Sequence, residues 1–360
     1  MQTNNSVKSL TAKKAEDFSM KHNVLVTIPD GEVKDTFLTP DVREYLAENF
    51  NVRYNDLGRQ FTKDELKEEL MDIDFVISGW STPSFGDGVL DGNDRLKVIA
   101  HTGGSVADFV DSSVYEKGVI VCSGNYYYAE SVAEGTAAYI MACLRSIPDD
   151  VAEIKAGGWK NSSLQPTAGI LDQEIGIISC GAISKMLMQM LQAFRCKFKV
   201  FSNHPIDPEF LASVNAKQVS LEEVLKTCHI ISLHASLNEK TRGWLGREHF
   251  EMMQEDAVFI NTARGAIIRE EEMIEVLKER PKMRAVLDVF TREPLAPTNP
   301  LRTMPNVYCI PHKAGPTIDR RRYVGMAMAK ELVHYVNGEP MEHMISAEVA
   351  SRMTKHKPNK

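Results

Sequence analysis

Short apolar runs alternate with amphipathic segments along almost the whole chain. "NVLVTIP" (23–29), "NVRYND", "DFVISGW" (74–80), "LKVIAHT" (96–102) and "VIVCSG" (119–124) read as strands. "TPDVREYLAENF" (39–50), with a proline at its start, and "FTKDELKEELMD" read as helices between them. Apolar runs that do not alternate with polar residues are buried on both faces, as in a parallel sheet covered by helices. After "GGWKNSSLQPTAG" the alternation begins again. "EIGIIS", "KFKVFSN", "HIISLHA", "AVFINTA", "RAVLDVF" and "VYCIPH" are its strands, so a second sheet of six strands is expected. A stretch of helix, "AESVAEGTAAYIMACLRSIP" and "DDVAEIKAG", joins the two series. A final helix, "DRRRYVGMAMAKELVHYVNG", is expected to return to the first lobe. Ligands of such sheets bind outside the carboxyl ends of the strands.

A chain of 360 residues has the length of about two domains at roughly 100–200 residues each. The formal charge of −7 argues against a general nucleic-acid binder. The densest basic cluster, Arg320-Arg321-Arg322, reads as the solvated start of a helix. Six cysteines occur and none forms a C-x-x-C pair, which fits a reducing compartment. No apolar stretch approaches the roughly 20 residues of a membrane span. The N-terminal residues lack the apolar core of a signal peptide, and a disordered extension is expected over 1–20, with Met20 an alternative start. The methionines of "ISKMLMQML" read as core filling rather than as a site.

The polar residues that carry chemistry stand where strands of the second series end. "AVFINTARGAII" ends its strand at Arg264-Gly265, and a guanidinium there can hold a carboxylate by two parallel hydrogen bonds. "RAVLDVFTREPL" carries Asp288 and, just beyond, Glu293; "NVYCIPHKAGPT" carries His312. Arg, Glu and His at three strand ends of one sheet suit reversible carbonyl–alcohol chemistry. Arginine fixes the acid and polarises the C2 oxygen, while an imidazolium supplies and retrieves the proton. A neighbouring carboxylate favours the charged imidazole. No G-x-S-x-G motif offers a hydrolase nucleophile.

These blocks, together with "LKVIAHTGGSVADFVD", "SVAEGTAAYIM" and "IISLHASLNEKTRGWLG", resemble the D-isomer-specific 2-hydroxyacid dehydrogenases over about residues 23–340. The resemblance implies an α/β fold of two Rossmann-like doubly wound parallel-sheet lobes with the active site in the cleft between them. It implies a substrate lobe of 21–124 and 317–345, a dinucleotide lobe of 125–316, and leaves 346–360 as a flexible tail. It implies Arg264, Glu293 and His312 as catalytic residues. It implies Asp288, His234 and the Asn261-Thr262-Ala263 backbone on the nicotinamide side, and the Gly103-Gly104-Ser105 turn against the substrate carboxylate. The activity implied is hydride transfer between NAD, or NADP, and a small 2-oxo or D-2-hydroxy acid. A cytoplasmic homodimer with no membrane, metal or nucleic-acid partner is expected. A nucleotide sensor acting through protein partners is the alternative, and retention of all three catalytic residues favours the enzyme.

Departures from the family pattern concern the cofactor. The G-x-G-x-x-G loop reads Ser179-Cys180-Gly181-Ala182-Ile183-Ser184. Its glycines serve the tight turn, the approach of backbone to pyrophosphate, and helix packing, and Gly181 keeps the second of these. The N–H groups of Ala182 and Ile183 are expected to face the phosphates. The acid that selects NAD falls at His204, so nothing there repels a 2′-phosphate; NAD stays ahead of NADP on family frequency. Trp80 either lines the acyl pocket or packs a strand end, and Tyr126-Tyr127-Tyr128 either shapes the pocket or packs a hinge. His101 is expected to be structural. Ala107 stands where relatives often carry arginine, and Arg269, where they place aspartate, is expected to be a harmless surface change.

Overall fold

The computed structural model describes residues 21–159 and 167–355, so the N-terminal extension expected over 1–20 lies outside the described residues. The chain divides into two compact units. One runs to Asn125 and resumes over Ile318–Ser351; the other is Tyr126–Thr317 with the residues from Arg352.

The first unit holds five parallel strands, β1 (Asn23–Val26), β2 (Asn51–Tyr54), β3 (Phe75–Ser78), β4 (Val98–His101) and β5 (Ile120–Ser123). They lie in the order β2-β1-β3-β4-β5, which reverses between β1 and β3. Strands β3 and β4 are buried throughout, as their unbroken apolar runs require. Pro40 opens the helix Pro40–Asn49, and a capping box between Thr62 and Glu65 opens the helix Lys63–Glu69. The helix Ile318–Asn337 packs on Glu32–Phe37 and Pro40–Asn49 within this unit. A Cβ on Gly325 would stand 1.8 Å from the Phe37 carbonyl oxygen, so only glycine lets that helix seat. The helices Glu32–Phe37 and Ser112–Glu116 have no counterpart in the sequence reading, being too short to show a period.

The second unit holds β6 (Glu174–Ile178), β7 (Lys197–Phe201), β8 (Ala216–Gln218), β9 (Ile230–Leu233), β10 (Val258–Asn261), β11 (Arg284–Leu287) and β12 (Val307–Cys309). Their order is β12-β11-β10-β9-β6-β7-β8, all parallel, with the reversal between β6 and β9. The sheet thus has seven strands rather than the expected six. The extra one, Ala216-Lys217-Gln218, is a polar edge strand held only by β7, so no apolar run marks it. Alternate residues of β10 feed two cores: Phe259 packs with Val224, Phe250 and Leu277, while Val258 and Ile260 pack with Ile140, Leu187 and Met188. Of the methionines expected to fill the core, Met188 is fully buried, Met186 is half-buried against the same core, and Met190 is exposed. The joining helical stretch is two helices, Asn125–Leu144 and Ile147–Lys155, separated at Ser146, whose φ of 53° is left-handed.

The flexible tail expected from 346 is corrected in part. Ala347–Arg352 form a helix, with Ser346 Oγ accepting from the Val349 N–H at 3.2 Å. Just before it, the Ser123 N–H donates to His343 O and the Ile345 N–H to Val121 O, which ties 343–345 to β5. Residues 356–360 lie outside the described residues.

Candidate active site

Three neighbouring strand ends of the second unit, those of β10, β11 and β12, are tied together. Beyond β10, Asn261 is fully buried and clasps its own turn: Oδ1 accepts the Ala263 N–H at 2.9 Å and Nδ2 donates to Arg264 O at 3.2 Å. Thr262 Oγ1 lies 3.0 Å from Thr136 Oγ1 on the helix Asn125–Leu144. Arg264 therefore leaves from a turn pinned on two sides, with Nη1 donating to Ala263 O at 2.6 Å. A Cβ on the next residue, Gly265, would stand 1.9 Å from the carbonyl carbon of Phe290. That close approach presses the loop carrying Glu293 against the Arg264 turn.

Glu293 Oε1 accepts the Phe290 N–H at 3.0 Å, and Oε2 lies 2.7 Å from His312 Nδ1. Burial works against the charged carboxyl of Glu293. The hydrogen bond to His312, the Phe290 N–H and the charges of His312 and Arg264 outweigh it and hold the group below the usual range. His312 sits at φ 50°, a conformation rare for a residue with a side chain. Its N–H donates to Asp288 O at 2.9 Å. Asp288 fixes the rest of the turn: Oδ1 accepts the Lys313 N–H at 2.7 Å and Oδ2 the Ala314 N–H at 3.0 Å, with Tyr139 Oη 3.3 Å from Oδ1. Burial raises the Asp288 pKa against these bonds. Asp288, expected on the cofactor side, is thus committed to holding the backbone that follows His312. Tyr139 and Thr136 were missed by sequence reasoning. Their spacing on one face of the helix, beside Gly135, whose Cβ would stand 3.2 Å from Ala314 Cα, was the available signal.

The loop after β6 lies at the order reversal. Ser179 takes the left-handed turn itself, at φ 79°. Ser184, fully buried, accepts the Gly181 N–H on Oγ at 2.8 Å and donates back to Gly181 O at 3.1 Å. The helix Ala182–Met190 follows, and its first internal bond runs from the Lys185 N–H to Gly181 O, leaving the Ala182 and Ile183 N–H groups in the unbonded first turn. No atom lies within 4 Å of a Cβ built on Gly181. The open space there fits the close approach of a pyrophosphate. Across the reversal, the His234 N–H donates to Ile178 O and its Nε2 lies 2.9 Å from Ser232 Oγ. Burial pushes the His234 pKa down to about 4. After β7, His204 is exposed. Gln218 Nε2, from β8, donates to Ser202 O at 3.1 Å and His204 O at 2.9 Å, so the unexpected strand supplies a brace for this loop.

The remaining candidates belong to the first unit and are described there alone. His101 is buried, its Nδ1 3.0 Å from Ser78 Oγ and its ring 4.2 Å from Phe109, and it blocks any Cβ at Gly103. These contacts are those of the structural role expected for it. Gly104 and Ser105 follow β4, and the Ala107 N–H donates to Ser105 Oγ at 3.4 Å; Ala107 is buried. Trp80 is 43% exposed after β3, edge-on to Phe37 at 5.3 Å. Tyr126, in the other unit, is exposed. Two surface readings are corrected. Arg321 is no mere solvated cation: its guanidinium lies over the Phe37 and Trp80 rings at 5.6 and 5.2 Å. Arg269 pairs with Glu248 and, at 2.9 Å, with Glu272, and lies where a Gly246 side chain would be. It clamps two helix starts.

Two doubly wound parallel sheets, one ordered like the sheets that bind dinucleotides, define a Rossmann-like α/β protein. The family model described as "D-isomer specific 2-hydroxyacid dehydrogenase, NAD binding domain" matches residues 137–314. The chain is 31% identical to D-3-phosphoglycerate dehydrogenase of Methanocaldococcus jannaschii over 287 residues, which are 79% of this chain and 54% of that protein. It is 30% identical to hydroxypyruvate reductase of Thermotoga maritima over 274 residues, 75% of this chain and 87% of that protein. The crystal structure of the TT0316 protein from Thermus thermophilus matches with a TM-score of 0.71 and 26% identity, over 90% of this chain and 100% of that one. The chain belongs to the D-isomer specific 2-hydroxyacid dehydrogenase family. It spans about half the length of the phosphoglycerate dehydrogenases it matches.

Proposed function

We propose that the protein is a nicotinamide-dependent reductase of a 2-oxo acid, reversible to the D-2-hydroxy acid. The observation that carries this reading is the 2.7 Å contact between His312 Nδ1 and a Glu293 carboxyl held below its usual range. An ionised Glu293 accepts the proton on Nδ1, which leaves Nε2 as the nitrogen that exchanges a proton with substrate. Arg264 offers a planar fork to the carboxylate and the C2 oxygen. His312 gives its Nε2 proton to that oxygen during reduction and takes it back during oxidation. A nicotinamide, when bound, supplies or accepts the hydride at C2. Gly181, Ala182 and Ile183 would hold its pyrophosphate, and His234, Thr262 and Ala263 would stand on its nicotinamide side. Asp288 acts through His312 as a positioning residue.

Ser202, Asn203 and His204 carry no carboxylate to repel a 2′-phosphate, and this reading keeps NAD as the cofactor with NADP as its alternative. A homodimer in the cytoplasm belongs to the same reading, and light scattering at twice the chain mass checks the dimer. The test of function is a panel of 2-oxo acids with NADH and NADPH, run on the wild type and on His312→Ala. Turnover that the variant loses supports the reductase. A wild type silent across the panel, yet binding nucleotide, would favour the sensor, which no feature of the site otherwise favours.

A further inference from the structure

The loop after β9 begins at His234, proposed above to stand on the nicotinamide side. Its far half is tied within itself and to the next loop. Asn238 Oδ1 accepts the Lys240 and Thr241 N–H groups at 2.9 and 3.1 Å, and Thr241 Oγ1 donates to Ser236 O at 2.7 Å. The Gly243 N–H donates to Ala266 O at 2.9 Å, in the turn that follows Arg264. The near half is held differently. The His234 N–H donates to Ile178 O, and Ala235 and Leu237 pack on the core that holds Leu245 and Phe250. The Leu237 N–H finds its acceptor outside the loop. It donates to Thr354 Oγ1 at 3.2 Å, from a residue 117 positions further along the chain.

Thr354 stands just beyond the helix Ala347–Arg352. From Arg352 on the chain belongs to the second unit, so donor and acceptor lie in the same unit. Thr354 is 8% exposed, while Ser351, Arg352 and Lys355 around it are exposed. Ordering a chain end costs conformational entropy, and a main-chain N–H without a partner costs more than one bond yields. The contact offsets both at once. It also bears on a ligand. A loop that must settle when a ligand arrives weakens binding, and order already supplied by the fold restores it. The backbone from His234 to Leu237 is the part of this loop nearest the proposed nicotinamide side, and Thr354 holds its far end.

We propose that Thr354 is a positioning residue for the cofactor. By accepting the Leu237 N–H it holds Ala235–Leu237, and with them His234, in the conformation that receives the nicotinamide half of the dinucleotide. This rests on the nicotinamide reading of the second unit and adds to it a residue from the C-terminal stretch of the chain.

Amide exchange and nucleotide titration on the full-length protein test it. Thr354→Val keeps the shape of the side chain and removes its acceptor, whereas Thr354→Ser keeps the acceptor and removes the methyl group. Without nucleotide, Thr354→Val should speed exchange of the amides over 235–238 by about 3- to 10-fold, the scale of one net hydrogen bond, and leave the β6 amides unchanged. The Kd for NADH, or for NADPH where that is the nucleotide bound, should rise by a similar factor. Thr354→Ser should match the wild type in both measurements. Serine impaired as much as valine would assign the effect to packing and overturn the inference. Faster exchange with an unchanged Kd, or exchange over 235–238 that valine does not alter, overturns it as well, and each of these leaves the reductase standing. A wild type that binds neither nucleotide at millimolar concentration removes the nicotinamide reading itself, and the inference with it.

Discussion

The two sheets obey one construction rule and put it to different uses. In both, all strands are parallel and the order reverses once. In the second unit the strand ends are bound by the chain's own polar groups: Asn261 to its turn, Asp288 to the backbone after His312, Gln218 to the loop after β7, and Ser184 to Gly181. In the first, the reversal opens into a mostly apolar groove with Trp80 at its wall. Fixed polar geometry suits proton transfer, where a small misplacement costs rate. An apolar recess suits recognition, where complementary size matters more than direction. The proposed chemistry thus rests on the second sheet alone.

The sharpest way to break this division is to remove the proton carrier. His312→Ala should lower kcat by about 10²–10⁴-fold, the usual worth of a positioned general acid, with little change in unfolding free energy. A steady-state assay checks it; a loss below tenfold would return the chemistry to another group. Gly265→Ala attacks the frame instead. Its Cβ would meet Phe290 backbone, which cannot yield as a side chain can. A cost of about 1–3 kcal/mol is expected in urea unfolding, with activity lost as the Glu293 loop moves. Unchanged stability would mean that the loop is not packed as described.

His234 gives a pH signature to the second unit alone. Its pKa is pushed down from 6.5 to about 4 by burial, so the unfolded chain binds the extra proton between those values. The stability tied to the neutral ring is fully present above pH 6.5 and drains away as the pH falls toward 4. The loss is on the order of 1–3 kcal/mol, and His234→Gln should flatten it. Urea titrations at pH 7 and 4.5 on both proteins check this, and parallel slopes would refute it. The smallest effect is expected at Ser179. A residue with a side chain at φ 79° carries strain that glycine does not. Ser179→Gly should stabilise by up to about 1 kcal/mol, read as a higher Tm, unless the new freedom of the unfolded chain cancels the gain. A lower Tm with unchanged NADH affinity would show that the serine is not strained.

Much of this division was legible in the residues. Unbroken apolar runs marked the buried strands, and Arg264, Glu293 and His312 stood out because each ends a strand of one series. What stayed hidden depends on contacts distant in sequence or on absent signals. The edge strand β8 is Ala-Lys-Gln, with nothing apolar to announce it. The loop reading "SCGAIS" did not disclose that one serine would adopt the glycine's left-handed turn and another would close on Gly181. Arg269 and Arg321 read as surface charges because their partners, Glu248 and the Phe37–Trp80 pair, are far away along the chain. That Asp288, expected on the nicotinamide side, also accepts the Lys313 and Ala314 N–H groups stayed hidden because these donors come from a strand end some distance on.

One measurement bears most directly on the proposed chemistry: kcat and KM for His312→Gln beside the wild type, on the 2-oxo acid that the wild type reduces fastest. His312→Gln should lower kcat by at least about a hundredfold with KM changed far less. An unchanged kcat, or a loss confined to KM, would contradict the assignment of the proton transfer to His312.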